Sequence, residues 1–519
     1  MTSVRPARST ELMVLLVTIL GTGMVYLDQT AVNVALPVIQ RDLQADVGGL
    51  QWMVDIYILA LAVLLLIGGS LGDRYGRVRV YLIGMVLFVA SSVAAGLAGT
   101  LWFLVAARAV QGVGGALLIP GGFAILNATV APERRGRMLG TWGAFSPLIT
   151  ISGPLLGGWL VDTVSWRAVF FLNVPLGLLA FFIAARCVPE NRDEFASGRL
   201  DWPGVLTLFV GLGALLVGLI EGPHFGWGSP LIVGSLAAGV LGLAAFVAVE
   251  ARSPAPMLPL HLFRNRTFAG INLVTLVQYI ALSSVFFFFS LNLQQAQGFT
   301  ASQAGLAGLP TSILLILMAR PMGWLTDRIG ARPLMVAGVL LIGVGCLLLR
   351  LPGLITNYWT SFFPGLLVYG IGLGLLVVPL TAVAIGALPG RYSGVASGLN
   401  NAAARVAQML GVAVFGAVML STFRVGLMER VIEPGLLPPA AAEELIESSR
   451  QLGATQPPTG LSAELAQAVQ QAIRLSFVDG FRMLMLISAA LSVVSAVLLV
   501  LLVRPEASRP YSSSPTVRQ

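Results

Sequence analysis

The sequence predicts an all-helical polytopic membrane protein with about fourteen transmembrane helices. Three observations carry this. Of 519 residues, 56% are hydrophobic and only 10% are charged, with a mean hydropathy of +0.87. A soluble domain carries roughly a quarter charged residues, so this chain cannot solvate its own surface and needs a bilayer as solvent. The apolar runs, among them Leu12–Leu36, Trp52–Leu71, Val80–Ala98 and Ile271–Leu291, each reach the ~20 residues a spanning helix needs. They are continuous and do not alternate, which excludes a spanning barrel.

In chain order the spans are expected at 12–36, 52–71, 80–98, 101–128, 136–160 and 168–186, then 202–221 and 230–250, then 268–291, 303–325, 333–350, 361–387, 394–420 and 477–503. The first run follows Arg5 and Arg8 but is too long for a signal peptide and contains Asp28, so it reads as a retained helix. The formal charge is +8, and every one of the 31 basic residues is arginine. They mark loops instead of forming one patch, so no nucleic-acid partner is implied. Arg74, Arg77, Arg79, Arg134, Arg135, Arg137, Arg192, Arg199, Arg264 and Arg266 fall on the side of the amino terminus. Arg41, Arg167 and Arg350 fall on the other. Cytoplasmic loops hold the arginine excess, so both termini are expected in the cytoplasm. The 422–476 segment, with Pro434, Pro438, Pro439, Pro457 and Pro458, reads as a long external loop with helix-like pieces near 440–450 and 462–473. Cys187 and Cys346 are too few and too far apart for a disulfide framework.

An internal repeat organises the chain. Gly69-x-Leu71-x-Asp73-Arg74-x-Gly76 recurs as Gly323-x-Leu325-x-Asp327-Arg328-x-Gly330, each copy at the inner end of a span. Matched halves build a site at the midplane between them. The boundaries that follow are a six-helix half over 1–200, two inserted helices over 201–251, a second six-helix half over 252–503 and a tail over 504–519.

Ionisable residues inside spans are costly and mark function. Asp28, Asp55 and Arg108 lie about 12, 5 and 10 Å from the outer ends of their spans, at depths that permit contact. A carboxylate is held neutral by a dry environment and ionised by a neighbouring arginine, so a group between those influences suits proton coupling. A fixed Asp28–Arg108 bridge is the structural alternative, and Asp55, one turn inside Trp52, reads as wet. Arg405 lies near the midplane of the thirteenth span beside Asn400 and Asn401. It is either a substrate contact or a tie to a neighbouring helix. Tyr26, Asn33, Trp142, Phe145, Gln278 and Tyr279 are further candidates to line a cavity. Aromatic walls suit hydrophobic or cationic ligands. The run Phe286–Phe289 points all round its helix, so at least half of it faces lipid or core. In the fifth span, Gly140-x-x-Gly143, Pro147 and Gly153-Pro154-x-x-Gly157-Gly158 allow close helix approach or a flexing point. No Gly-Lys-Ser/Thr phosphate loop, metal cluster or nucleophile–base pair stands in the sequence, so neither ATP drive nor an enzyme is expected.

These motifs together resemble the fourteen-helix drug:proton antiporters of the major facilitator superfamily, the EmrB/QacA type, over about residues 10–420. Leu27-Asp28-x-Thr30-x-Val32-Asn33 resembles the helix 1 signature. Gly69 to Arg77 resembles the loop 2–3 motif, Arg108-Ala109-Val110-Gln111-Gly112-Val113-Gly114 the helix 4 motif and Gly153 to Gly158 the helix 5 antiporter motif. Trp166, Arg167, Phe170, Asn173 and Pro175 fit the start of helix 6. The resemblance implies an inner-membrane exporter of small amphiphilic molecules working by alternating access. It would need no cofactor beyond a proton gradient, with Asp28, Asp55 and Arg108 in coupling. It also implies a conformational latch from Gly69, Asp73, Arg74, Gly76 and Arg77, matched by Asp327 and Arg328. A facilitator or importer of a small metabolite is the alternative. Relatives that pump dicationic compounds often carry carboxylates deep in the tenth and thirteenth helices, and this chain has none there, so a neutral or monovalent amphiphile, or an anion, fits as well as a polycation. Protons, a small-molecule substrate and the bilayer are the implied partners. The oligomeric state is not implied.

Overall fold

The computed structural model describes residues 8–191, 200–354, 357–389 and 392–504. The first half contains α1 (Arg8–Asp42), α2 (Val47–Tyr75), α3 (Arg77–Gly96), α4 (Leu101–Thr129), α5 (Pro132–Thr163), and α6 (Trp166–Phe171) and α7 (Asn173–Cys187), which share one span. Two inserted helices follow, α8 (Trp202–Phe225) and α9 (Pro230–Arg252). The second half contains α10 (Arg266–Leu291), α11 (Ala301–Ala307) with α12 (Leu309–Ile329), α13 (Ala331–Leu349), α14 (Tyr358–Ser361), α15 (Phe363–Gly386), α16 (Ser393–Leu427), α17 (Pro439–Ser448) and α18 (Ala463–Leu502).

Among the described residues, 13 helical spans are long and apolar enough to cross a membrane. The 32-residue α5 is the fourteenth crossing. At 1.5 Å per residue its length exceeds the ~30 Å hydrocarbon core, and its stretch Ala144–Val161 is apolar and carries no charge. An even number of crossings puts both chain ends on one face, here called the near face. Residues at the turns set the helix limits. Asp46 accepts from the Gly49 amide (2.7 Å) and starts α2. Thr100, Ser165, Asp201, Ser229, Asn265 and Ser462 cap other helices in the same way. At matching points of the repeat, Gly76 (φ 105°) ends α2 and Gly330 (φ 85°) ends α12, in a backbone region where a Cβ is strained.

The 422–476 segment differs from the loop expected. α16 runs on to Leu427 and a π-helical turn covers Met428–Ile432. α17 and a 3-10 turn (Ser449–Ala454) follow, and α18 begins at Ala463 instead of 477. Pro438 and Pro439 sit at the start of α17, where a missing N–H costs nothing. These prolines delimit helices without abolishing them.

In the first half α4 packs on α2 and α3, and α1 on α5 and α7. In the second, α13 packs on α15 and α18, and α10 on α16 and α18. The inserted pair packs on itself, while α8 also touches α2 and α16 and so bridges the halves. Bonds between the halves gather at the far face. Gln51 donates to the Val412 carbonyl (2.6 Å) and Gln40 to the Gln451 carbonyl (3.0 Å). Gln294 donates to the Val34 carbonyl (3.0 Å). Asp162 accepts from the amides of Ala301 (3.1 Å) and Ser302 (2.8 Å). Glycines make this closeness possible. A Cβ on Gly158 would lie 2.7 Å from the Ala301 carbonyl oxygen, and one on Gly305 2.3 Å from that of Pro154. Toward the near face Leu66 of α2 packs on the cluster of Leu262, Phe268, Leu388, Ala396 and Leu399. On α16, Gly394, Gly398, Asn401 and Arg405 share one stripe. A Cβ on either glycine would meet nothing within 4 Å, and Asn401 is exposed.

Candidate functional site

The polar centre of the first half begins with glycine packing. A Cβ on Gly112 would stand 2.5 Å from the Tyr57 carbonyl oxygen, and one on Gly114 2.7 Å from the Phe88 nitrogen. Their absence lets α4 lie directly against α2 and α3, with Arg108 and Gln111, one turn apart, facing α1. There Arg108 Nη1 donates to Asp28 Oδ2 and to Gln111 Oε1 (2.7 Å). Gln111 Nε2 (2.9 Å) and Asn173 Nδ2 (3.0 Å) donate to Asp28 Oδ1. Both amides also reach Ser92 Oγ, at 2.8 and 3.3 Å. Arg108 Nε donates to the Met53 carbonyl (3.4 Å), and its guanidinium lies 4.0 Å from the Tyr57 ring centroid. Asp28 is 0% and Arg108 1% exposed. Removing two charges from water costs several kcal/mol per ion, so a buried pair persists only where further hydrogen bonds satisfy it. Gln111 and Asn173 supply those bonds here.

Asp55 is not wet. It is 0% exposed, and neither carboxyl oxygen has a hydrogen-bond partner. The expectation failed because α2 starts at Val47, five residues before the apolar run, which places Asp55 about 12 Å inside its helix. An anion without a partner at such a place is costly.

The second polar element faces the space between the halves. Arg405 Nη1 donates to Gln29 Oε1 (2.7 Å) on α1, and its guanidinium lies 5.6 Å from the Tyr26 ring centroid. Tyr26, Asn33, Trp142 and Tyr279 are half-buried, and Phe145 is 46% exposed. Trp142 packs on Phe123, ring centroids 4.4 Å apart. Asn401 donates only to Ser397 of its own helix (3.0 Å), which leaves it facing the opening. Gln278 does not line that space. It is buried and donates to Ser492 (3.2 Å), tying α10 to α18. Asn400 likewise ties α16 to Thr275 (2.8 Å). Of the phenylalanine run, Phe287, Phe288 and Phe289 are core and Phe286 is 50% exposed.

On α5, a Cβ on Gly153 would lie 1.9 Å from Thr30 Oγ1, and one on Gly157 2.9 Å from Ala31 backbone atoms, so these glycines seat α1. Pro154 backs Gly305, and Gly158 backs α11. The contacts of Gly140, Gly143 and Pro147 fall outside what is described. At the near face Asp73 and Arg77 pair within α2–α3 (2.7 Å). Arg74 lies over Tyr75 and Gly69 faces Pro120. In the second copy Asp327 and Arg328 are exposed, Arg328 lies over Trp324, and Ala331 stands where the first copy has Arg77. The repeat thus keeps the glycine turn but not the ion pair.

Several residues escaped the sequence reading. Glu190 accepts from the amides of Val78 and Arg79 (both 3.0 Å) and braces α3 from the end of the first half. Gln29, Gln51 and Ser92 hold bonds described above. Their only signal is a neutral polar side chain within an apolar run. Arg320, exposed on α12, was also overlooked.

Residues 18–200 and 271–427 match the family described as Major Facilitator Superfamily. The multidrug resistance protein Stp of Mycobacterium tuberculosis is 34% identical over 490 residues, covering 93% of this chain and 90% of that protein. The tetracenomycin C resistance and export protein of Streptomyces glaucescens is 34% identical over 491 residues, with the same coverage of 93% and 90%. Among solved structures, an inward-facing, occupied bacterial homolog of the human lysosomal transporter Spinster aligns with a TM-score of 0.67 at 18% identity. The alignment covers 98% of this chain and 100% of that one. The inward-open xylose transporter XylE from E. coli aligns at 0.57 and 14% identity, covering 95% and 96%. At such identities the likeness is one of fold.

Proposed function

We propose that this chain, which belongs to the Major Facilitator Superfamily, exports small amphiphilic organic molecules by alternating access, driven by a proton gradient. The observation that carries the reading is the Asp28–Arg108 network. It is a buried Asp–Arg bridge whose remaining bonds are supplied by Gln111 and Asn173, and it joins α4 to α1, the helix that also touches α10 and α11 of the second half. The similarity along more than nine-tenths of the chain to a multidrug resistance protein and an antibiotic export protein supports export over import.

In this reading the near face is cytoplasmic, and the arrangement is the inward-facing one. The glutamine and Asp162 bonds hold the far face shut while substrate enters from the near side. Substrate binding and protonation change the relative stability of the two arrangements, and a ligand moves such an equilibrium only by its differential affinity. Asp28 gives up its bonds to Arg108 when it takes a proton. Asp55, buried without a partner, is a second candidate to carry one. The Asp73–Arg77 pair and the Glu190 brace stiffen the near-face ends of α2 and α3, so these move as one body.

The test is purified protein in liposomes with an imposed pH gradient, following substrate and proton flux together. Asp28→Asn is expected to abolish gradient-driven flux. Every group that touches Asp28 is a donor, so the variant's NH2 would face a donor as well as lacking the charge. Undiminished coupled exchange by this variant would sink the assignment. Gradient-independent transport by the wild type would favour a facilitator instead.

A further inference from the structure

The charge balance of the space between the halves points to a substrate class, and this step rests on the export reading above. Arg405 stands about 18 Å from the near-face start of α16, close to the middle of the bilayer. A charge there is tolerated where it faces a cavity or a partner. Its polar partner is the neutral amide of Gln29, and no ion pair with a carboxylate forms among the described residues. The two carboxylates of the neighbouring spans do not offset it. Asp28 is consumed by Arg108, and Asp55 is sealed away at 0% exposure.

The surroundings of Arg405 have a consistent character. The stripe that carries it continues through Asn401 on one side and Gln408 on the other, so one face of α16 presents amides flanking a guanidinium. Tyr26 and Tyr279 stand beside it as half-buried aromatic surface. The stripe opens at Gly394 and Gly398 toward the near face, where an added Cβ would touch nothing. A guanidinium in a low-dielectric cleft binds a carboxylate, phenolate or enolate through charge-assisted, paired hydrogen bonds, and stacks on an aromatic plane. A cationic ligand placed there would meet a like charge with no carboxylate to neutralise it.

We infer that Arg405 is the recognition residue for substrates that are aromatic organic anions. The negatively charged oxygen group lies against Arg405, and the ring system lies between Tyr26 and Tyr279. Gln29 holds the guanidinium in place and releases it to the ligand.

Fluorescence anisotropy on the purified full chain tests this with two probes of similar aromatic bulk, carboxyfluorescein as the anion and ethidium as the cation. Carboxyfluorescein is expected to bind more tightly than ethidium. Arg405→Gln should weaken it about tenfold or more, the loss of a charge-assisted bond. Arg405→Lys should restore part of the binding, because the charge returns without the planar fork. A merely structural tie to Gln29 would not produce that rescue or a selective loss of the anion. A chain that binds neither probe, binds ethidium more tightly, or loses nothing in Arg405→Gln overturns the inference. Such failure leaves export itself standing if gradient-driven efflux of a neutral compound persists. Anion binding without gradient-driven efflux of any compound would count against export and not against the site.

Discussion

Replacing Arg108 by leucine separates the strength of the buried pair from its role in transport. The change removes the donors to Asp28 Oδ2, Gln111 Oε1 and the Met53 carbonyl at once, and leaves a carboxylate at 0% exposure with two neutral amide donors. Stranding one member of a buried pair costs about 3–5 kcal/mol. Removing both charges should cost much less. In Arg108→Leu combined with Asp28→Leu, no uncompensated charge remains. The amides of Gln111 and Asn173 lose Asp28 but keep Ser92 Oγ as acceptor, at 2.8 and 3.3 Å. The double variant should therefore lie within about 1–2 kcal/mol of wild type, because apolar replacement of a buried pair is often close to neutral. Unfolding in mixed micelles of dodecylmaltoside and dodecylsulfate, followed by helix circular dichroism, measures all four corners of the cycle. A coupling energy of about 2 kcal/mol or more is expected. Additive single effects, or a loss under about 1 kcal/mol for Arg108→Leu, would refute the view that these groups form one electrostatic unit. The stable double variant would also remain inert in proton-coupled flux, which distinguishes a coupling pair from a structural one.

Two further outcomes follow from the far face. Gln51→Leu removes the 2.6 Å bond to the Val412 carbonyl and should weaken far-face closure by about 1 kcal/mol. Spin labels at Trp102 and Glu447 should then show a larger population of long distances by double electron–electron resonance, and an unchanged distribution would count against the closure described. For orientation, a cysteine at Glu447, in a Cys187→Ser background, should react with an impermeant maleimide added to whole cells, while one at Arg328 should be protected. The reverse labelling would invert the protein.

The residues most legible in the sequence were those whose cost in a bilayer is highest. Asp28 and Arg108 announced themselves as charges at matching depth, and the structure joins them. Of the neutral members of their network, Gln111 and Asn173 stood out only as parts of motifs and Ser92 not at all, because serine is unremarkable in a span. Only the fold brings them to one carboxylate. Asp55 was misplaced for a local reason. The stretch Val47-Gly48-Gly49-Leu50-Gln51 looks like a loop by composition, yet the Asp46 cap starts the helix there, and Gly49 lets it settle on Leu101, where a Cβ would stand 2.3 Å away. In 422–476 the helix-like pieces expected near 440–450 and 462–473 coincide with α17 and the start of α18, while the prolines hid how far α16 and α18 extend into the segment. They fall between helices and at helix starts, positions composition alone does not distinguish from a long loop. Arg405 was legible as a mid-bilayer charge. Its partner Gln29, 376 residues away, was not.

The inserted hairpin gives the molecule handedness with respect to the lipid. The halves meet along two seams, one between α2 and α16 and one between α5 and the α11–α12 pair. α8 lies along the first and is fastened there, with Glu221 accepting from the Trp52 indole (2.9 Å) and the Pro223 carbonyl accepting from Arg424 (3.2 Å). Among the described residues nothing comparable lies along the second, where Leu317, Arg320 and Trp324 stand exposed on α12. A molecule dissolved in the bilayer would thus meet the inserted hairpin along the first seam and the exposed side chains of α12 along the second, so the two sides of the protein offer the lipid different surfaces.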